Sequence, residues 1–151
     1  PILNRGGCNL SFAGLKTAVL KISKNINSKK DKYNLAASFQ NTIENILYEK
    51  SKIAMSMFKE NNKKVNSAFV IAGGVASNKK IRNTLKNLSI KKEFKPIFPP
   101  INLCSDNAAM IAWAGIEKFK LNLTDKLNCP ARARWPLDEN APFMKGPGVK
   151  L

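Results

Sequence analysis

Apolar residues recur at helical spacing over most of this chain, and the two places where they run together instead mark strands. From Ser11 to about Asn25, Phe12, Leu15, Val19 and Ile22 fall on one face, with Ser11 placed to cap the helix. A polar, lysine-rich break follows at Asn27 to Lys30. A long helix is then predicted from Asp31 to about Asn61. Its residues Leu35, Phe39, Ile43, Ile46, Leu47, Ala54, Met57 and Phe58 keep one side apolar for several turns. Asp31 at its start, and Lys59, Lys63 and Lys64 near its end, suit the helix dipole.

Ser67 to Ala72 is apolar without alternation, which predicts a strand buried on both faces and ended by Gly73-Gly74. Ser77 or Asn78 caps a helix carrying Ile81, Leu85 and Leu88. Phe94 to Phe98 reads as a second short strand, stopped by Pro99-Pro100. Ser105 or Asp106 then caps a helix to about Lys120. The last 30 or so residues hold four prolines and little periodicity, so they are expected to wrap over a surface. Strand, turn, helix, strand, turn, helix is an α/β order. Two strands make a poor sheet by themselves, which implies that part of the fold lies elsewhere.

The chain has 151 residues, 44% of them hydrophobic, enough for one domain with a core. No run of about 18 apolar residues is present, so no membrane span is expected. It opens on Pro1 rather than Met and reads as a piece of a longer polypeptide. Three cysteines, Cys8, Cys104 and Cys129, lie far apart and fit neither a disulfide framework nor a zinc knuckle; a reducing cytoplasm is the simplest setting. The net charge of +16 invites a polyanion. Residues 1–100 hold 19 Lys+Arg against 5 Asp+Glu, and residues 101–151 hold 7 against 5, so the surplus sits in the first two-thirds. Lysine outnumbers arginine 22 to 4, however, and arginine is the residue expected at dedicated phosphate contacts. Charge permits a nucleic-acid partner without specifying one.

Four residues stand out as candidates for chemistry. Gly73 and Gly74 let backbone N–H groups approach a ligand beside a helix N-terminus, and Asn78 offers a donor and an acceptor. The same residues also serve any αβ protein as a turn and a cap. Asp106 heads a helix rich in small residues (Ala108, Ala109, Ala112, Ala114 and Gly115), where a carboxylate can bind a cation or merely cap. With no histidine in the chain and no second acid nearby, Asp106 cannot make a metal site alone. Lys16 and Ser11 are weaker phosphate candidates. Arg132, Arg134 and Trp135 can stack on a base or anchor a tail.

Taken together, six blocks resemble the C-terminal part of the tRNA N6-adenosine threonylcarbamoyltransferase family, also described as glycoproteases or O-sialoglycoprotein endopeptidases. They are Asn9-Leu-Ser-Phe-Ala-Gly-Leu-Lys-Thr-Ala18, Ala36-Ala-Ser-Phe-Gln40, Ile71-Ala-Gly-Gly-Val-Ala-Ser-Asn78, Phe98-Pro-Pro100, Leu103-Cys-Ser-Asp-Asn-Ala-Ala-Met-Ile-Ala112 and Ala131-Arg-Ala-Arg-Trp-Pro-Leu137. The resemblance implies an α/β fold, part of the second lobe of an actin-like/Hsp70-like (ASKHA) ATPase. It is expected to be helix-rich with a small, incomplete sheet, residues 1–137 forming the lobe fragment and 138–151 an irregular tail. It implies transfer of threonylcarbamoyl from threonylcarbamoyl-adenylate to N6 of adenosine 37 in tRNAs reading codons that begin with A. It further implies one divalent metal, iron or zinc, held by Asp106 and by two histidines of a missing N-terminal lobe. Gly73, Gly74 and Asn78 are its expected substrate or nucleotide contacts, and paralogous and ATPase subunits its partners, in the cytoplasm. Alone, the chain is expected to be inactive. The alternatives are a non-catalytic ASKHA-type partner subunit and a basic RNA-binding module. Ala108, Ala13 and Ala133 depart from the usual glycine, serine and proline, and residues 138–151 lack a clear counterpart in the family pattern.

Overall fold

The computed structural model describes residues 6–62, 66–129 and 131. It divides into two compact units, one ending at Ala108 and the other beginning at Ala109. The first unit holds helices α1 (Ala13–Ser23), α2 (Lys29–Asn61) and α3 (Lys79–Lys91) and strands β1 (Ala68–Val70) and β2 (Lys95–Ile97). Two short 3-10 helices, Gly74–Ser77 and Ile101–Leu103, carry its turns. Helix α4 (Ala108–Lys120) begins at the junction and runs into the second unit. Lys63, Lys64, the cluster Arg132, Arg134 and Trp135, and residues 138–151 lie outside the described residues.

Helix α1 is capped differently from the expectation. It starts at Ala13, its N-cap residue is Phe12, and no side chain there bonds the first turn, so Ser11 is not the cap. Ser11 lies one residue too early to reach the orphan amides. Helix α2 begins inside the supposed break. Ser28 accepts from the Asp31 N–H at 3.0 Å and its hydroxyl donates to the Asp31 carboxylate at 2.6 Å, which satisfies an end donor and draws Lys29 and Lys30 into the helix.

The core forms where α3 lies against α2 and the strands. Met55 from α2, Ile81, Leu85 and Leu88 from α3, and Phe94 are buried together, with Ile43, Leu47, Tyr48, Phe69 and Ile71 packed around them. In α3 the 81, 85, 88 spacing is one helical face, and Asn78 begins the helix at the right phase to turn that face inward. Met55 is buried while Met57 and Phe58 are largely exposed, so the apolar stripe of α2 is covered only in part.

Strands β1 and β2 pair in parallel, with Ala68 opposite Lys95, Phe69 opposite Pro96 and Val70 opposite Ile97. Helix α3 is the crossover between them. Pro96 has no N–H to donate, which suits a strand that has no second neighbour among the described residues. The expectation that the first strand is buried on both faces is wrong: Ala68 and Val70 are exposed, Val70 at 62%, and only Phe69 turns toward the core. One crossover helix covers one face of the sheet, and nothing among the described residues of this unit covers the other.

The second unit is described by α4 and the segment after it. Its helix starts at Ala108, two residues beyond Asp106, so neither Ser105 nor Asp106 is the residue just before it. Helix α4 buries none of its residues, and Ile111, Trp113 and Phe119 are all at least 67% exposed. Among the described residues, no helix is long and apolar enough to cross a membrane. Cys8, Cys104 and Cys129 are all free thiols.

Candidate functional site

The glycine turn follows directly from β1. Gly73 has φ +84°, a conformation that side-chain-bearing residues adopt only at a cost, so this position requires glycine. The next four residues close one 3-10 turn, with Ala76 N–H donating to Gly73 C=O at 2.9 Å and Asn78 N–H to Val75 C=O at 3.1 Å. Around Gly74 a Cβ would meet nothing within 4 Å, so its bare backbone faces open space.

Asn78 then does two jobs. Its Oδ1 accepts from the backbone N–H groups of Lys80 at 3.0 Å and Ile81 at 3.2 Å, which is the cap foreseen for α3. Its Nδ2 donates to Gln40 Oε1 in α2 at 3.2 Å. Two first-turn amides of α3 are therefore occupied by Asn78 itself. The second Nδ2 proton is what the side chain has left to offer a ligand.

Between α2 and this turn lies a hollow of about 460 Å³, within the size range of small-molecule sites. Ala36, Phe39 and Gln40 line it from α2, and Gly74, Ser77 and Asn78 from the turn. The fold thus brings the Ala36–Gln40 block against the Ile71–Asn78 block, 38 residues apart at the Gln40–Asn78 bond. Gly73, expected as a contact, is not among the residues that line the hollow. Two further hollows, of about 390 and 490 Å³, sit between α1 and α2 and are lined mostly by apolar side chains such as Val19 and Phe39.

Electrostatics lock the same helix pair. Glu44, one turn beyond Gln40, accepts a hydrogen bond from the Thr84 hydroxyl and pairs with Lys80 Nζ at 3.0 Å, its side chain 12% exposed. The Thr84 hydrogen bond, then Lys80, hold its carboxyl below the ordinary value of 4.5, against the opposing effect of burial. A lowered folded-state pKa gives stability that is full above 4.5 and lost as pH falls through the lowered value. The α2–α3 contact should therefore weaken in acid below about pH 4.5. Glu44→Gln should flatten that acid limb, as followed by thermal melts across pH 2 to 6; an unchanged limb would remove Glu44 as its source.

The second corner is built by Ile101–Leu103, which packs against the glycine-turn helix. Sequence reading passed over the residue that joins them. Arg82 donates from Nε to Ala76 C=O at 2.7 Å and from Nη2 to Pro99 C=O at 2.6 Å and to Cys104 Sγ at 3.3 Å. Its guanidinium also lies 4.8 Å from the Phe98 ring centroid. One signal was available: Arg82 is one of 4 arginines among 26 basic residues, and the only one of the four between positions 6 and 131.

Asp106 is exposed in the turn between Leu103 and Ala108, where Asn107 Nδ2 donates to the carbonyls of Ser105 at 2.9 Å and Leu103 at 3.4 Å. Among the described residues, no group of three or more histidines, cysteines or acids could hold a metal ion. Cys104, two residues away, is buried and bonded to Arg82 and the proline carbonyls rather than turned toward Asp106. These residues do not fit a complete metal site; they present one accessible carboxylate.

Among the described residues, lysines are spread over the surface rather than gathered in the hollow. Lys79, Lys80, Lys86 and Lys91 of α3 are exposed, as is Lys16 of α1. Lys50 is the exception: it is 2% exposed and donates to Gly7 C=O at 3.0 Å, tying the lead-in segment to α2.

The chain is similar in sequence to known proteins. The family described as tRNA N6-adenosine threonylcarbamoyltransferase matches residues 1–113. A protein of that name from Pelagibacter ubique is 64% identical over 151 residues, which is 100% of this chain and 42% of its own length. Namesakes from Zymomonas mobilis and Cereibacter sphaeroides are 45% and 42% identical over 99% of the chain, covering 40% and 43% of their lengths. The chain thus spans about two-fifths of the length of these curated relatives. The Pelagibacter alignment also takes in residues 138–151, so the tail does have a counterpart, contrary to the expectation. With a matching family profile over most of its residues and relatives this similar, the chain belongs to the tRNA N6-adenosine threonylcarbamoyltransferase family.

Proposed function

We propose that this chain supplies the glycine-turn half of the catalytic cleft in a tRNA threonylcarbamoyltransferase. The longer polypeptide would move threonylcarbamoyl from threonylcarbamoyl-adenylate to N6 of adenosine 37 in tRNAs that read codons beginning with A. The observation that carries this reading is the hollow between Ala36–Gln40 and Gly74–Asn78, because two sequence blocks shared with the family meet there. Its lining joins apolar Phe39, Ile43, Val75 and Ile81 to polar Gln40, Ser77 and Asn78, a combination suited to a planar base carrying a polar sugar. The bare backbone at Gly74 leaves room for the acyl-phosphate portion.

In this reading residues 1–137 form part of the second lobe of an actin-like/Hsp70-like fold, and 138–151 its tail. Asp106 contributes one carboxylate to a divalent metal, iron or zinc, whose other ligands come from the rest of the polypeptide. The exposed lysines of α1 and α3 give tRNA a favourable surface at low salt. Paralogous and ATPase subunits assemble with the complete protein, in the cytoplasm.

The test is transfer itself. The natural polypeptide that contains this chain, purified with its partner subunits, is given threonylcarbamoyl-adenylate and a tRNA with A at position 37. Nucleoside mass spectrometry should find threonylcarbamoyladenosine, and none when residues 1–151 are supplied alone. Absence of product from the complete assembly would refute the transferase reading. Product from the short chain alone would refute the half-cleft.

A further inference from the structure

We propose that Arg82 is a positioning residue, a clamp that sets the register between the glycine turn and the corner leading to Asp106. The inference rests on the transferase reading for its catalytic consequence, and on geometry alone for the clamp. Its side chain does not line the hollow, so it acts through others. The fork of donors ends on two separate segments: Nε on Ala76 C=O, inside the glycine-turn helix, and Nη2 on Pro99 C=O and Cys104 Sγ, on either side of Ile101–Leu103. Phe98 lies against the guanidinium at 4.8 Å and limits its movement. Cys104, 3% exposed, further directs its sulfur to the Pro100 carbonyl at 3.5 Å, so the far end of the clamp is itself held.

Two neighbouring short helices have few backbone bonds in common, and a charged fork shared between their carbonyls is what fixes their spacing. Reacting groups held on the two corners depend on that spacing. A displacement of about 1 Å can cost on the order of 100-fold in rate without removing any contact to substrate. Lysine cannot replace the clamp, because one ammonium cannot point along the Nε and Nη2 directions at once.

The experiment compares Arg82→Lys and Arg82→Gln in the complete polypeptide with its partners, all rates expressed per folded molecule. Both variants should lower kcat by about 10- to 100-fold. The KM for threonylcarbamoyl-adenylate should stay within about threefold, since the hollow keeps its own lining. Amide hydrogen exchange at Ala76, Asn78 and Cys104 should accelerate together, while Leu85 and Leu88 in the body of α3 keep the wild-type rate. Exchange that rises equally throughout α3 would mean a residue that merely supports the fold, and would overturn the proposal. So would Arg82→Lys restoring wild-type kcat, or exchange at the three turn amides within twofold of wild type. If the wild-type assembly transfers nothing, the transferase reading fails, and the exchange measurement still decides the clamp.

Discussion

Asp106→Asn is expected to lower threonylcarbamoyl transfer by the complete protein by about 100-fold or more while leaving stability within about 0.5 kcal/mol. The substitution keeps size and hydrogen-bonding shape and removes one negative charge. That choice separates the two readings of this residue. Asparagine serves a helix N-terminus about as well as aspartate, so a purely local role predicts almost no change. A role as one ligand of a cation predicts a large loss, because amide oxygen is a much weaker donor to iron or zinc than carboxylate. The structure favours a clean experiment: Asp106 is exposed, stands in a turn and has no place in the core. Bound metal measured by elemental analysis should fall with activity. Full activity and full metal content in the variant would return Asp106 to the status of a turn residue.

Leu88→Ala is expected to destabilise the first unit by about 3 kcal/mol, within the usual range of 2–5 for a buried leucine. Leu88 is 1% exposed and belongs to the cluster of Met55, Ile81, Leu85 and Phe94, which joins α3 to α2 and lies directly under the strands. Removing its side chain leaves a cavity at the point where the crossover helix is anchored, and α3 carries both Asn78 as its cap and Arg82 one turn later. The Gln40–Asn78 bond and the hollow should therefore loosen with the core. Chemical denaturation of the complete protein, with hydrogen exchange of the α3 amides as the local probe, measures the effect. Val70→Ala is the control: at 62% exposure it should change stability by less than about 0.5 kcal/mol. Equal effects of the two substitutions would mean that the core is not organised around α3.

How much of this was legible beforehand differs from element to element, for physical reasons. The long helix α2 and the amphipathic α3 announce themselves, since eight apolar positions in the one and three in the other repeat the helical period. Asn78 as a cap and Gly73 as a turn are local matters decided within three or four residues, and both appear where the chain spells them. Helix starts were less legible. Ser28, rather than Asp31, opens α2 because a hydroxyl three residues upstream can reach the Asp31 amide and carboxylate together. Ser11 fails as a cap because the helix begins at Ala13. The apolar run Ser67–Ala72 predicts a doubly buried strand because composition reports how a strand would prefer to sit and cannot report what covers it. The exposed residues of α4 carry the same lesson: a run of small and apolar residues states a need for a neighbour without supplying one.

By itself, then, the amino-acid order determined the succession of helices and strands and the family, because periodicity, turns and ordered blocks are properties of neighbours along a chain. Only the tertiary structure decided that Gln40 meets Asn78, that Glu44 is held by Thr84 and Lys80, and that Arg82 spans from Ala76 to Pro99 and Cys104. Those pairings join residues 6 to 40 positions apart, and folding selects them through side-chain geometry and burial, which no local pattern encodes.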